Sequence, residues 1–222
     1  DNRDYAIAKL QWKVPQIGKA TRLDLYGEAG KAVRECETVV AVMGINKSIE
    51  REGQDRYGIE LPADQREFLR EIYQVNPNII LVLVAGSSLA VNWENEHLPA
   101  IVNAWYPGEQ GGTAVAEVLF GDYNPAGRLP LTYYKSLEEL PPFDDYDITK
   151  GRTYQYFKKD VLYPFGYGLS YTTFAVETKD IVADEKQVTV TAQVINTGKC
   201  AGKEVVQVYA SLPEGDLDQP YQ

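Results

Sequence analysis

The sequence predicts an α/β fold, a parallel-rich α/β sandwich domain followed by part of an antiparallel β-sandwich. Continuous apolar runs, typical of buried parallel strands, occur at residues 38–44 and 79–85. Segments with helical periodicity alternate with these runs, and this order favours parallel pairing of the strands. Beyond residue 172, apolar and polar residues alternate, which is typical of strands with one buried face.

The first half of the domain supplies two helix–strand units. Apolar residues at helical spacing predict a helix over residues 23–36, and residues 38–44 then predict a fully buried strand. Residues 63–74 predict an amphipathic helix, followed by a second buried strand at 79–85. The polar segment 45–62 lies at the carboxyl end of the first strand, where open α/β sheets place their sites. We therefore expect the functional site in that loop.

The same alternation continues to residue 121. A short helix is predicted at residues 89–93, a strand at 100–105 and a helix at 110–120 that Gly121 ends. Residues 125–171 lose regular periodicity and are rich in proline, glycine and tyrosine, which favours a connector packed on the domain with its aromatic side chains buried. The chain then enters the predicted β-sandwich.

Two alternating runs carry the β-sandwich prediction. Residues 187–194 and 205–209 are each predicted to form a strand, with residues 196–198 between them. At the other end of the chain, alternation over residues 6–14 predicts a half-buried strand that Pro15 ends.

Composition and charge exclude several classes of function. Lysine and arginine total 22 against 32 aspartates and glutamates, a net charge of −10 that repels nucleic acid and anionic lipid and favours neutral ligands. No apolar run approaches the roughly 18 residues of a membrane span. The chain begins without a basic region and an apolar core, so no signal peptide is visible. Cys36 and Cys200 fall in different predicted domains, and we expect free thiols.

Catalysis, if present, must depend on carboxylates. His97 is the single histidine, and the sequence has neither zinc-ligand spacing nor a complete serine or cysteine triad, so we expect no metal. Ser87 and Ser88 follow Gly86 but lack the Gly-x-Ser-x-Gly pattern of a nucleophile elbow. The glycine-rich segments lack the spacing of phosphate-binding loops, so we expect no cofactor.

Ordered motifs carry a resemblance to a known family. The segment Gly44–Arg56, followed by Leu61, Pro62 and Gln65, resembles the acid/base loop of family 3 glycoside hydrolases. Further segments resemble that family's signatures in the same order, at residues 105–112, 119–130, 163–174, 196–198 and 202–209. The resemblance covers roughly residues 30–222 and implies a hydrolase of carbohydrates.

The resemblance also implies a domain organisation. Residues 17–171 are similar to the family's α/β sandwich domain, and residues 172–222 resemble part of its fibronectin III-like domain. Residues 1–16 resemble the tail strand of a PA14 insert. Family members carry the nucleophilic aspartate on an N-terminal (β/α)8 barrel of the same polypeptide, which these residues lack. We therefore expect the fragment alone to be inactive. The family's usual work on extracellular glycans implies a periplasmic or secreted parent.

The acid/base loop holds the candidate site residues. A retaining glycosidase needs a nucleophilic carboxylate and, about 5 to 5.5 Å away, a second carboxyl that acts as acid and then as base. Glu52 matches the family's acid/base glutamate, while Glu50 is the competitor by spacing alone. Asp55 and Arg56 are expected to brace the loop or to contact a sugar hydroxyl. Trp105 either stacks on a sugar face or packs against protein.

The resemblance leaves the substrate open between two sugars. It implies a retaining, exo-acting β-glucosidase that removes terminal non-reducing β-D-glucosyl residues, and the loop also resembles that of β-xylosidases. A third interpretation is a carbohydrate-binding or packing module without turnover, with a solvated charged loop. Hydrolysis by the full-length parent is the measurement that separates these alternatives.

Overall fold

The computed structural model describes residues 26–210 and residue 220, so the strand predicted at residues 6–14 and the PA14 resemblance of residues 1–16 lie outside the described residues. Its α-helices are α1 (Glu28–Glu35), α2 (Ala63–Tyr73), α3 (Asn92–His97), α4 (Gly111–Phe120) and α5 (Thr153–Tyr156). Its strands are β1 (Val39–Gly44), β2 (Ile79–Val84), β3 (Ala100–Asn103), β4 (Phe174–Ala183) and β5 (Val188–Asn196). Short 3-10 helices occupy Leu137–Glu139 and Ile148–Lys150.

A parallel sheet in the order β1-β2-β3 forms the centre of the α/β region, as the sequence predicts. Val39 of β1 pairs with Ile79 of β2, and Ile80 pairs with Ala100 of β3. Because the strands run in the same direction, the segments that follow β1, β2 and β3 all leave from one edge of the sheet. This carboxyl edge carries the loop that the sequence analysis singles out.

Apolar side chains from β2 and α2 form the core around this sheet. Ile79 and Leu81 of β2 and Leu69 and Ile72 of α2 have no solvent exposure. The prediction that β1 is fully buried is wrong, because the side chains of alternate residues point to opposite faces of a strand and one face of β1 remains open. Val40 and Val42 are 48% and 61% exposed on that face.

The chain divides into two compact units. The first comprises the described residues up to Asp55, Leu61–Ala85 and Asn92–Trp105, and therefore contains the parallel sheet. The second comprises Arg56–Glu60, Gly86–Val91 and the described residues from Tyr106 onward. None of the helices in the described part of the chain is long and apolar enough to cross a bilayer.

The prediction of a helix at residues 89–93 is wrong. Leu89, Ala90 and Val91 are buried and not helical. The Ala90 amide donates to the carbonyl of Ile59, and Ala90 forms a parallel bridge with Glu60. Apolar periodicity cannot distinguish a short buried bridge from one helical turn. The helix begins instead at Asn92, as α3.

The connector that follows α4 buries some of its aromatic rings and exposes others, so the prediction that they are buried is only partly confirmed. Phe143 and Tyr146 are 73% and 84% exposed. Tyr133 and Phe157 are buried at 2% and 6% exposure. The Tyr154 and Phe165 rings stack at a centroid distance of 4.1 Å. The Tyr133 amide donates to the carbonyl of Tyr163, so backbone pairing holds distant parts of the connector together.

The C-terminal part of the described chain is antiparallel, as predicted, but its strands differ from the prediction. Strands β4 and β5 form a two-stranded sheet in which Phe174 pairs with Asn196. Residues 205–209, predicted as a strand, have no regular secondary structure. Strand β4 is not predicted from alternation, because its register shifts between Thr178 and Asp180 and this shift interrupts the alternation of apolar residues.

Candidate active site

The candidate site begins where β1 ends. Gly44 closes β1, and the chain continues through Ile45, which is buried at 4% exposure and whose amide donates to the Val84 carbonyl of β2 at 3.1 Å. Trp105 follows β3 at the same edge of the sheet. The parallel sheet therefore brings the charged loop and one large aromatic residue to a common edge of the first unit.

Asn46 organises the first half of the loop. Its backbone carbonyl accepts hydrogen bonds from the amides of Ile49 and Glu50, at 2.9 and 3.0 Å. Its side-chain Oδ1 accepts from the amide and the hydroxyl of Ser48, at 2.8 and 2.6 Å. One asparagine thus satisfies the backbone over a full turn, as such residues do in Asx turns. The chain from Asn46 to Glu50 is consequently held by local contacts.

Glu52 lies at the tip of a tight turn in the second half of the loop. Arg51 and Gln54 exchange two backbone hydrogen bonds, at 3.0 and 2.9 Å, which leaves Glu52 and Gly53 as the central residues. Gly53 has a φ of +73°, the conformation that a type II turn requires at its third position. The Gln54 side chain donates to the Ser48 carbonyl at 3.3 Å and so ties the turn to the first half of the loop.

The four acidic and basic candidates differ in exposure and contacts. Glu52 and Asp55 are exposed, whereas Glu50 and Arg56 are half-buried. Glu52 therefore presents its carboxylate to solvent, on a backbone that the turn holds in place. The structure brings Glu50, Glu52 and Asp55 together within one loop of the first unit.

Arg56 begins a segment that belongs to the second unit. Its guanidinium Nη2 donates to the Ser88 carbonyl at 2.5 Å. The bridge between Glu60 and Ala90 holds the far end of the same segment to residues 86–91, which also contain Ser88. These contacts support the bracing interpretation of Arg56, since the guanidinium holds backbone. Tyr57, which the sequence analysis did not single out, exposes its whole side chain beside this braced residue.

Trp105 carries a strained backbone. Its φ is +54°, which is uncommon for a residue other than glycine, asparagine or aspartate, and its side chain is half-buried. Such strain persists only where surrounding structure imposes it, and it is concentrated at functional sites. In the second unit, the ring of the following residue, Tyr106, covers Gly86 so closely that an added Cβ would lie 2.4 Å from it. The backbone conformation directly after β3 is therefore restricted by these contacts.

A separate group of titratable residues lies away from the loop, in the first unit. Burial raises the pKa of the Glu94 carboxyl, which is 3% exposed, and the positive charges of Arg70 and Arg66 partly oppose that rise. Trp93 stacks on His97 at 4.5 Å, and the Arg70 guanidinium lies 5.6 Å from the Trp93 ring centroid. This cluster stabilises α3 against α2 and is distinct from the charged loop.

Two cavities in the described chain have no lining residue from the charged loop. One of about 570 Å³ is lined by residues between Glu138 and Lys159, and one of about 140 Å³ by residues between Thr132 and Phe165. Both belong to the second unit. In the charged loop, Glu52 and Asp55 are instead exposed.

Comparison with known proteins assigns the chain to a family. The model of the glycosyl hydrolase family 3 C-terminal domain matches residues 9–171. A xylan 1,4-beta-xylosidase from Xylanibacter ruminicola is 47% identical over 205 residues, covering 82% of this chain and 24% of that protein. A periplasmic beta-glucosidase from Salmonella typhimurium is 35% identical over 212 residues, covering 88% of this chain and 28% of that protein.

Solved structures agree with the sequence comparison. The crystal structure of a beta-glucosidase from Kluyveromyces marxianus matches with a TM-score of 0.82 at 32% identity, covering 93% of this chain and 26% of that one. The chain thus spans about a quarter of the length of the relatives it matches. From the family match, the identities and the shared fold together, the chain belongs to glycoside hydrolase family 3, in its C-terminal domain.

Proposed function

We propose that this chain is the part of a retaining, exo-acting β-glucosidase that supplies the general acid/base, with Glu52 in that role. The observation that carries the proposal is the position of Glu52 at the exposed tip of the Arg51–Gln54 turn, inside the segment matched by the family model. A carboxyl group on a fixed backbone and open to solvent suits proton transfer to a substrate that binds from outside the unit.

The proposed reaction has two steps. The nucleophilic carboxylate attacks the anomeric carbon while the Glu52 carboxyl gives its proton to the leaving glycosidic oxygen, and the bond between that carbon and oxygen breaks. The Glu52 carboxylate then takes a proton from water, the water oxygen bonds to the anomeric carbon, and the nucleophile leaves. The nucleophile is an aspartate on a (β/α)8 barrel of the same polypeptide, outside this chain.

Neighbouring residues have supporting roles in this proposal. Arg56 braces the end of the loop through the Ser88 carbonyl, and Asp55 is exposed beside it for a sugar hydroxyl. Trp105, strained and half-buried at the same edge of the sheet as the loop, supplies an aromatic face for the sugar ring. Glu50 is half-buried and supports the loop.

A specific observation favours β-xylosides as a second candidate substrate. The relative named as a xylan 1,4-beta-xylosidase is 47% identical to this chain, whereas the beta-glucosidases cited above are 35% and 32% identical. The two substrates share the anomeric centre and the β-linkage, so the role of Glu52 is the same for both. The name of the Salmonella relative and the net charge of −10 support a periplasmic or secreted enzyme for neutral oligosaccharides.

Hydrolysis by the full-length protein tests the proposal. We expect Glu52→Ala to lower kcat on cellobiose or xylobiose by about 10²–10⁴-fold, because both steps lose their proton transfer. With 2,4-dinitrophenyl glycosides the leaving group needs no proton, so only the second step should slow, and azide should restore turnover by forming a glycosyl azide. The better wild-type disaccharide identifies the sugar.

Glu50→Ala is the matched control, since it removes a carboxyl two residues away in the same loop. It should show no response to azide, whatever activity remains once the support of Glu50 for the loop is removed. If Glu50→Ala shows the azide response and Glu52→Ala does not, the assignment is reversed. Wild-type protein that binds glucose or xylose but hydrolyses neither class of glycoside would instead indicate a carbohydrate-binding module.

A further inference from the structure

We infer that Gln65 is a positioning residue that fixes the start of the acid/base loop, an inference that rests on the role proposed for Glu52. The Gln65 side-chain Oε1 accepts a hydrogen bond from the Gly44 amide at 2.9 Å, and its Nε2 donates to the Gly44 carbonyl at 2.8 Å. Both polar atoms of the side-chain amide are therefore used on the backbone of a single residue. The pair of hydrogen bonds, one accepted from and one donated to the same residue, resembles the pair that a neighbouring strand makes with one residue of a β-ladder.

Gly44 is held from its other side by β2. It pairs with Val84 in the parallel ladder, and the Ile45 amide donates to the Val84 carbonyl. A Cβ added to Gly44 would lie 1.8 Å from the Val84 oxygen, so only glycine fits at this position. With Gln65 on one side and Val84 on the other, the last residue of β1 cannot shift sideways.

Gln65 lies on a helix that is anchored in the core. It lies in the first turn of α2, which Phe68, Leu69 and Ile72 anchor in the core with exposures of 4%, 0% and 0%. Its backbone amide donates to the Asp64 carboxylate at 2.9 Å, which orders the start of the helix. The side chain can therefore transmit the position of α2 to the end of β1.

A continuous series of contacts then leads from Gly44 to Glu52. Buried Ile45 follows Gly44, and the Asn46 carbonyl and side chain hold residues 48–50. Gln54 ties the turn that carries Glu52 back to the Ser48 carbonyl. Since the contacts are all within the first unit, a displacement at Gly44 moves the Glu52 backbone with it. A misplacement of about 1 Å in a catalytic group can cost about 10²-fold in rate.

The test replaces Gln65 with methionine in the full-length protein, which keeps the side-chain length and removes both hydrogen bonds. We expect about a 10- to 100-fold loss of kcat on the disaccharide substrate with a much smaller loss in the glycosylation step on a dinitrophenyl glycoside, which needs no acid. Hydrogen exchange of the amides of residues 49–54 should become faster. A loss of folded protein alone would lower both activities equally.

Asn78→Leu is the matched control, because the Asn78 side chain makes similar contacts, to the Glu37 carbonyl and the Thr38 hydroxyl, at the opposite end of β1. It should leave the ratio of the two activities and the exchange of residues 49–54 unchanged. If Gln65→Met lowers both activities in proportion and leaves loop exchange unchanged, the inference is overturned. If Glu52→Ala is active on disaccharides while Gln65→Met speeds loop exchange, the role of Glu52 fails and the positioning of the loop by Gln65 stands.

Discussion

Gly44→Ala should destabilise the first unit far more than an ordinary glycine substitution. The new Cβ would lie 1.8 Å from the Val84 carbonyl oxygen and 2.6 Å from its carbonyl carbon, both of them backbone atoms that cannot rotate away. The φ of Gly44 is +153°, in a region that is essentially restricted to glycine. The ends of β1 and β2 must therefore separate by more than an ångström or the residue must change conformation.

The magnitude follows from the contacts that this separation removes. The bond from the Ile45 amide to the Val84 carbonyl and one of the bonds from Gln65 to Gly44 would be lost or stretched, at about 1 kcal/mol each. Backbone strain adds about 1 to 2 kcal/mol. The total of about 3 to 4 kcal/mol is a large part of the roughly 5 to 15 kcal/mol that stabilises a typical domain.

Hydrogen exchange of the β1 and β2 amides in the full-length protein measures this free energy of opening directly. Gly53→Ala is the matched control in the same unit, because Gly53 also has a positive φ, +73°, but no atom lies within 4 Å of an added Cβ. Gly53→Ala should lower the free energy of unfolding by about 1 kcal/mol, which is the cost of the left-handed conformation alone. If Gly44→Ala costs no more than Gly53→Ala, the close approach of Gly44 to Val84 does not constrain the unit and the reasoning fails.

Two further predictions concern pH and are checked by urea unfolding of the full-length protein between pH 3 and pH 8. Burial raises the pKa of Glu94 above its usual 4.5, so its contribution to the free energy of unfolding is complete below pH 4.5 and is lost as pH rises through the folded pKa. Glu94→Gln should therefore reduce the fall in the free energy of unfolding above pH 4.5. Wild-type and variant pH curves that run parallel would contradict this. Hydrogen bonds from the Val205 amide and from Arg128 lower the pKa of Glu204, so its contribution to the free energy of unfolding is present above pH 4.5 and is lost as pH falls. Glu204→Gln should be less stable than wild type at pH 7, and the difference should disappear in acid. A difference that is the same at all pH values would refute this prediction.

The elements with clean periodicity could be predicted from the sequence. The predicted helix at residues 63–74 and strand at 79–85 differ from α2 and β2 by one residue at one end, since each has an apolar face that matches its period. The helix predicted at 110–120 ends at Gly121, which adopts a φ of +80° as a helix-terminating glycine does. In these elements the apolar periodicity and the terminating glycine agree with the observed structure, so tertiary contacts did not override the local preference.

The remaining errors have tertiary causes. Ala90 forms its bridge with Glu60, thirty residues earlier, and no local pattern reports such a partner. The bulge between Thr178 and Asp180 breaks the period of β4, so that strand was missed. The position of the charged loop at the carboxyl edge of the sheet could be predicted, because the loop directly follows a parallel strand. The contact between Gln65 and Gly44 could not be predicted from the sequence, because it joins two elements through side-chain atoms.

The role proposed for Glu52 requires that an exposed carboxylate be held in a precise position. A residue that serves a substrate bound against another domain must be exposed on its own unit, where packing does not restrain its backbone. Here the restraint comes from the backbone of the loop, through the Asn46 contacts, the Arg51–Gln54 turn and the Gln65 amide at Gly44. Glu52 therefore keeps its side chain available while its Cα is fixed. By this reasoning, substitutions at Asn46, Gln54 and Gln65 should impair proton transfer more than binding.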